Sequence, residues 1–158
     1  ARERTSRFIF LFFLNKTLGY DIDRLDKLVN KESGLLGLSG LSNDMRTITQ
    51  AASEGHERAK IALEVFCYKL AREIGGLAMT LPRIDALIFT GGIGENSVIV
   101  RENVLKNLNI LGYIVDKEKN ANHGKESGGL ITQDGSPKAM IIATNEELLI
   151  AMDTEIVV

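Results

Sequence analysis

The stretch Phe89-Thr90-Gly91-Gly92-Ile93-Gly94-Glu95-Asn96 combines three glycines with a carboxylate and an amide. Ahead of it, Ala86-Leu87-Ile88-Phe89 reads as a buried strand. Behind it, Val98 to Leu111 reads as a helix with Val100, Val104, Leu108 and Leu111 on one face. A strand, a glycine loop and a helix present bare backbone N–H groups and a helix N-terminus to an anion. Glycines also let a main chain approach a nucleotide with no Cβ between them. The plain alternative is a tight strand-to-helix turn. No Gly-Lys-Ser/Thr follows, so this is not a Walker-type loop and is not expected to wrap β- and γ-phosphates.

Two further groups carry polar chemistry. Ser42-Asn43-Asp44-Met45-Arg46 places a carboxylate and a guanidinium at a loop-to-helix junction. Its plain reading is that Asp44 caps the helix and Arg46 is a solvated first-turn residue. Its functional reading is a corner that offers polar groups to a nucleotide's base or ribose. Asn145-Glu146-Glu147 opens a helix directly after an apolar strand. Carboxylates suit a first helical turn whatever their function. The end of a central strand in an α/β sheet is also where ligands bind, and magnesium takes one or two carboxylates beside phosphates and water. His56 and His123 fall in a helix-start region and a polar loop; both are expected to be exposed and receive no role. No nucleophile–His–acid arrangement and no cluster of thiol ligands is visible.

The elements that must position these groups follow from periodicity. Phe8 to Leu14 is a seven-residue apolar run behind three arginines, too short to span a bilayer and followed by no small-residue cleavage site. It is expected to form a buried amphipathic helix ending at Gly19. Asp21 can cap a helix with Ile22, Leu25, Leu28 and Val29 on one side, stopping at Gly34. Leu35 to Ser42 alternates leucine with Gly and Ser and is expected to be an ordered loop. Asp44 opens a short helix ending near Gly55. Residues 57–80 form the longest periodic segment, with a core stripe of Leu63, Cys67, Leu70, Ile74 and Leu77, and Gly75-Gly76 suited to close helix packing. After Pro82 comes the strand at 85–89, then the glycine loop and its helix. Tyr113-Ile114-Val115 reads as a short strand, 116–129 as an exposed polar excursion, and Leu130-Ile131-Thr132 as pairing with Lys138 to Ala143 through Asp134-Gly135-Ser136-Pro137. Helices in the first half and alternating strands and helices in the second indicate an α/β layered domain.

Composition sets the frame. The 158 residues are 44% hydrophobic and 25% charged, enough for one sizeable core. A net charge of −2 gives no reason to expect nucleic acid or an anionic membrane as partner. The single Cys67 excludes an internal disulfide and fits a small core residue in a reducing, cytoplasmic setting.

Three strings, taken in order, carry a family resemblance: Ser33-Gly34-Leu35-Leu36-Gly37-Leu38-Ser39-Gly40-Leu41-Ser42-Asn43-Asp44-Met45-Arg46, Phe89 to Asn96, and Ala143-Thr144-Asn145-Glu146-Glu147-Leu148-Leu149-Ile150-Ala151. From about Asn15 to about Asp153 the chain closely resembles the C-terminal part of the acetate, propionate and butyrate kinase family. The resemblance implies part of a ribonuclease-H-like domain of the actin, sugar-kinase and heat-shock-protein superfamily, without its first strands. It implies one nucleotide-binding domain over residues 1–158. It implies ATP and ADP as cofactors with Mg²⁺, transfer of the γ-phosphoryl group to acetate or another short-chain carboxylate, and a homodimer formed through the C-terminal half. By the same resemblance Asp44, Met45 and Arg46 line the adenosine pocket, with Met45 as the purine's apolar wall. Gly92, Ile93, Gly94, Glu95 and Asn96 contact adenosine and the first phosphate, and Glu146 is the magnesium-associated carboxylate. The family's N-terminal half, which carries most catalytic groups, is expected to lie outside this chain. The family's transition-state arginine would fall by counting at Arg2, but Arg2-Glu3-Arg4-Thr5-Ser6-Arg7-Phe8 does not match its surroundings. Two classes follow: a phosphotransferase piece that supplies nucleotide binding, or an inactive fragment limited to adenosine binding or dimer contacts. Propionate and butyrate kinases are the neighbouring specificities.

Overall fold

A computed structural model describes residues 2–144 and Thr154. The chain divides into two compact units, Ala1–Leu63 and Glu64–Val158, and the division falls inside one long helix.

The first unit is helical. α1 spans Arg2–Leu18 and stops at Gly19, whose φ of +66° suits a residue without Cβ. This helix is not the buried amphipathic element expected. Leu14 is buried, but Ile9, Phe10, Phe12 and Phe13 are all more than half exposed. Seven consecutive apolar residues wrap the whole circumference of a helix, and the side at Leu14 is the one that is covered. α2, Ile22–Lys27, starts where Asp21 accepts the Arg24 backbone N–H at 2.8 Å, and a π-helical turn over Leu28–Glu32 continues it. Its expected apolar side stays largely in solvent, with Ile22 80% exposed.

The Leu-Gly-Ser stretch is likewise a correction. It forms α3, Gly34–Ser39, rather than a loop throughout. Gly40 closes it in the left-handed region at φ +72°, and its N–H reaches Leu36 O at 2.7 Å. The Arg58 guanidinium then donates to Leu38 O at 3.0 Å and to Gly37 O at 3.3 Å. These bonds serve carbonyls that a helix end leaves without partners. α4, Met45–Ser53, begins at Asp44 as expected.

α5, Glu57–Ala78, is the predicted long helix. Its buried residues are Ala59, Ala62, Leu63, Cys67 and Ala71, whereas Leu77 is 67% exposed. A Cβ built at Gly75 or Gly76 meets nothing within 4 Å, so neither glycine serves close packing.

In the second unit, β1 (Leu87–Phe89) pairs in parallel with β2 (Ala139–Ile141), in the register Leu87↔Ala139, Ile88↔Met140 and Phe89↔Ile141. Parallel neighbours need a crossover. Here it contains α6 (Gly91–Asn96), α7 (Val98–Asn107), a 3₁₀ turn (Asn109–Leu111) and α8 (Lys117–Ala121). Single antiparallel bridges, Leu130↔Met140 and Val115↔Thr132, extend the layer as the 130–132 and 113–115 segments suggested. Val100, Val104, Leu105 and Leu108 of the α7 region are buried with Phe89, Tyr113, Ile131 and Ala139.

Residues 116–129 are not an exposed excursion. Asp116 caps α8, Asn120 is fully buried, and His123 is half-buried at φ +59°. Gly129 at φ +89° lets Ile141 N–H reach its carbonyl at 2.9 Å. A Cβ there would stand 2.5 Å from Ile141 O.

Candidate nucleotide site

The glycine segment is helical from its first glycine. Gly91 takes φ +70° immediately after β1, and the chain coils into α6. The three glycines do different work. A Cβ at Gly91 or Gly92 meets nothing within 4 Å, so that face is open to a ligand's approach. A Cβ at Gly94 would lie 3.1 Å from the Phe89 carbonyl carbon. Its close approach is to the protein's own strand.

Glu95 ties this turn to the chain beyond β2. Its Oε1 accepts the Gly91 N–H at 2.9 Å, the Thr144 N–H at 2.9 Å and the Thr144 hydroxyl at 3.2 Å. The Thr144 N–H is the largest influence holding the Glu95 carboxyl below its usual range; partial burial opposes it. Asn96 donates from Nδ2 to Gly92 O at 2.9 Å, and Ser97 caps α7 through the Val100 N–H. Ile93 is exposed on the turn.

Beneath the turn lies a residue that the sequence reading passed over. Arg101 of α7 is fully buried. Its Nη1 donates to Gly94 O and Glu95 O at 2.8 Å each, Nε to Asn120 Oδ1 at 2.7 Å, and Nη2 to Asn120 O at 3.0 Å. Asn120 Nδ2 in turn donates to Val98 O at 3.0 Å. His123 Nδ1 stands 2.9 Å from Glu95 O, which assigns the ring proton to Nδ1. The approach of Arg101 Nη2 to that nitrogen, at 3.4 Å, is then a contact and not a donated bond. A signal existed in the sequence: Arg101, Val104, Leu105 and Leu108 share the spacing of one helix face.

The other predicted corner belongs to the first unit. Asp44 Oδ1 accepts the Arg46 N–H at 2.8 Å and Arg46 Nε at 3.2 Å, and Oδ2 accepts Nη2 at 2.8 Å. The Arg46 guanidinium beside it holds the Asp44 carboxyl down at about 2. Met45 is buried, while the Arg46 side chain is 92% exposed. His56 is exposed as expected; its Nδ1 accepts the Ala59 N–H at 3.2 Å. Cys67 is buried, with its thiol pushed up to about 11 by burial alone, which suits a core residue.

Glu146 and Glu147 lie outside the described residues. Among the described residues no group of three or more His, Cys, Asp or Glu could hold a metal ion. The same residues contain no helix long and apolar enough to cross a membrane.

A parallel strand pair with a glycine turn at the first strand's end is α/β architecture, and solved structures share it. The fold resembles a propionate kinase from Francisella tularensis subsp. tularensis SCHU S4, with a TM-score of 0.82 and 40% identity over 92% of this chain and 36% of that one. It also resembles Porphyromonas gingivalis acetate kinase, with a TM-score of 0.79 and 34% identity over 92% and 37% of the two chains. The fold class is thus the α/β class of the actin and sugar-kinase superfamily. The acetokinase family model matches residues 6–152, and the chain belongs to that family. It is 52% identical over 142 residues to an acetate kinase of Stutzerimonas stutzeri strain A1501, and 49% over 144 to one of Shewanella amazonensis. These alignments cover 90% and 91% of the chain, which spans about 36% of the relatives' length.

Proposed function

We propose that this chain supplies the adenosine-binding part of an ATP:acetate phosphotransferase that forms acetyl phosphate and ADP. The carrying observation is the α6 turn. It is clamped from within by Glu95 and Arg101, yet it leaves the face at Gly91 and Gly92 open. A nucleotide is recognised well by a main chain that is both rigid and free of Cβ atoms.

In this reading Gly92, Ile93, Gly94, Glu95 and Asn96 form the wall against adenosine and the first phosphate. Asp44, Met45 and Arg46 form the base and ribose corner. Glu146 is the Mg²⁺-associated carboxylate, since magnesium takes few protein ligands beside phosphate and water. Residues 1–158 act as one nucleotide-binding domain, C-terminal in the whole enzyme, which is cytoplasmic and dimerises through this part. Bound Mg²⁺ would neutralise charge on the transferring phosphoryl group; this chain's own share is to bind and orient the donor.

The propionate kinase neighbour supports propionate as a second acceptor. The chain's 36% share of the acetate kinases supports a third reading, a nucleotide-binding or dimerising piece with no activity of its own. Calorimetric titration of the 158-residue chain with ADP and ATP is the test. Saturable binding that Gly92→Val removes is expected. A folded chain with no nucleotide affinity would overturn the proposal.

A further inference from the structure

We propose that Arg101 is a positioning residue of the nucleotide site: it fixes the α6 turn from behind and lends the positive charge that the nucleotide's phosphates balance. This rests on the nucleotide reading above.

The geometry makes the first half of the case. Gly94 O and Glu95 O are carbonyls at the C-terminal end of α6, where a helix leaves acceptors unserved. One guanidinium group takes both, and Asn120 takes two more of its N–H groups. The turn is therefore held through α7 and α8, two elements with their own buried contacts. None of the four bonded N–H groups is left to reach a ligand. Arg101 acts through the turn and not by touching substrate.

The charge makes the second half. Two carbonyls could be satisfied by a neutral amide, so hydrogen bonding alone does not call for a guanidinium. Burying a cation is costly unless something compensates it. Burial does push the Arg101 pKa down, with no carboxylate opposing the shift. Among the described residues no Asp or Glu pairs with it. The Glu95 carboxylate is directed to Gly91 and Thr144 instead. Asp116, at the start of α8, is engaged by the Glu118 and Lys119 N–H groups and by the Lys119 ammonium at 3.5 Å. Carbonyl dipoles at the end of α6 compensate part of the charge. The remainder lies under the turn proposed to meet the nucleotide's first phosphate, where a low-dielectric setting strengthens its effect.

The test is a ligand series, ATP, ADP and adenosine, titrated in EDTA against the wild-type chain, Arg101→Met, Arg101→Lys and Asn120→Asp. Asn120→Asp keeps an oxygen against Nε but sets a negative charge there. Both Arg101→Met and Asn120→Asp are expected to lose about tenfold or more in ATP and ADP affinity, a loss of the size one charge–charge contact gives. Adenosine, without phosphate, should change little. Arg101→Lys should retain the preference for ATP over adenosine while melting lower. Equal losses for ATP and adenosine would leave Arg101 a structural cap only and overturn the proposal, as would unchanged ATP affinity in a folded Arg101→Met chain. Should Arg101→Met not fold, Asn120→Asp and Arg101→Lys decide by the same comparison. Failure of the wild-type chain to bind any member of the series would instead overturn the nucleotide reading itself, and this proposal with it.

Discussion

Gly92 and Gly94 stand two residues apart and are glycine for different reasons. Space for a Cβ exists at Gly92, so Gly92→Val is expected to fold normally and to lose ADP binding in a titration. Gly94→Ala instead forces a carbon against the Phe89 backbone at 3.1 Å. It is expected to lower stability by about 1–3 kcal/mol, the usual cost of overpacking, in urea denaturation. At the other corner, Asp44 has its carboxyl depressed from 3.8 to about 2, first by the side-chain bond from Arg46. A depressed folded value means that its stabilisation is present above roughly pH 4 and is lost as pH falls toward 2. Thermal melts of wild type and Asp44→Asn should therefore differ most near neutrality and converge in acid. A difference that grows on acidification would contradict the cap and ion pair as its source.

Two arginines perform one task on two short helices. Arg58 serves the carbonyls that end α3, and Arg101 serves those that end α6. Helices of six residues are too short to persist in water by themselves; an external donor at the C-terminal end and a left-handed or backbone-sparing glycine make them definite. At its other end, α6 depends on the Glu95 carboxylate. Glu95→Ala should thus raise amide hydrogen exchange at Gly91 and Thr144 together, since one oxygen holds both N–H groups. Glu95→Gln, which keeps an acceptor oxygen, should raise it less. Independent changes at the two amides would show that Glu95 does not couple them.

At the scale of the chain, the 158 residues correspond to about a third of their acetate kinase relatives. In-line phosphoryl transfer requires donor, acceptor and metal to be held together by groups around a cleft. The site residues proposed for this chain concern the donor nucleotide and its Mg²⁺, with none for the acceptor. The isolated chain is accordingly expected to bind ADP yet to form no hydroxamate-trapped acetyl phosphate from ATP and acetate. Magnesium-dependent turnover of about 1–100 per second, ordinary for kinases, would refute that expectation.

Local sequence determined the pieces whose physics is local. The Asp21 and Asp44 caps, the long helix at 57–78, the strand at 87–89 and the stop at Gly19 follow from short-range capping, periodicity and glycine conformation. The family strings likewise sufficed for membership, because long, unusual runs leave few alternatives. Tertiary structure decided whatever depends on partners distant in sequence. α3 is a helix because Arg58, twenty residues on from Leu38, serves its end, so a Leu-Gly-Ser pattern could not reveal it. Residues 116–124 fold inward because Asn120 meets a guanidinium nineteen residues earlier. Their polar composition signals solvent only while that partner is unknown. The hydrophobic run of α1 pointed to burial, yet its seven apolar residues wrap the helix and the side at Leu14 is the one that is covered. The family resemblance puts Glu95 at the nucleotide, and its bonds to Gly91 and Thr144, which residue type could not show, arise from a strand pairing that brings position 144 beside position 95.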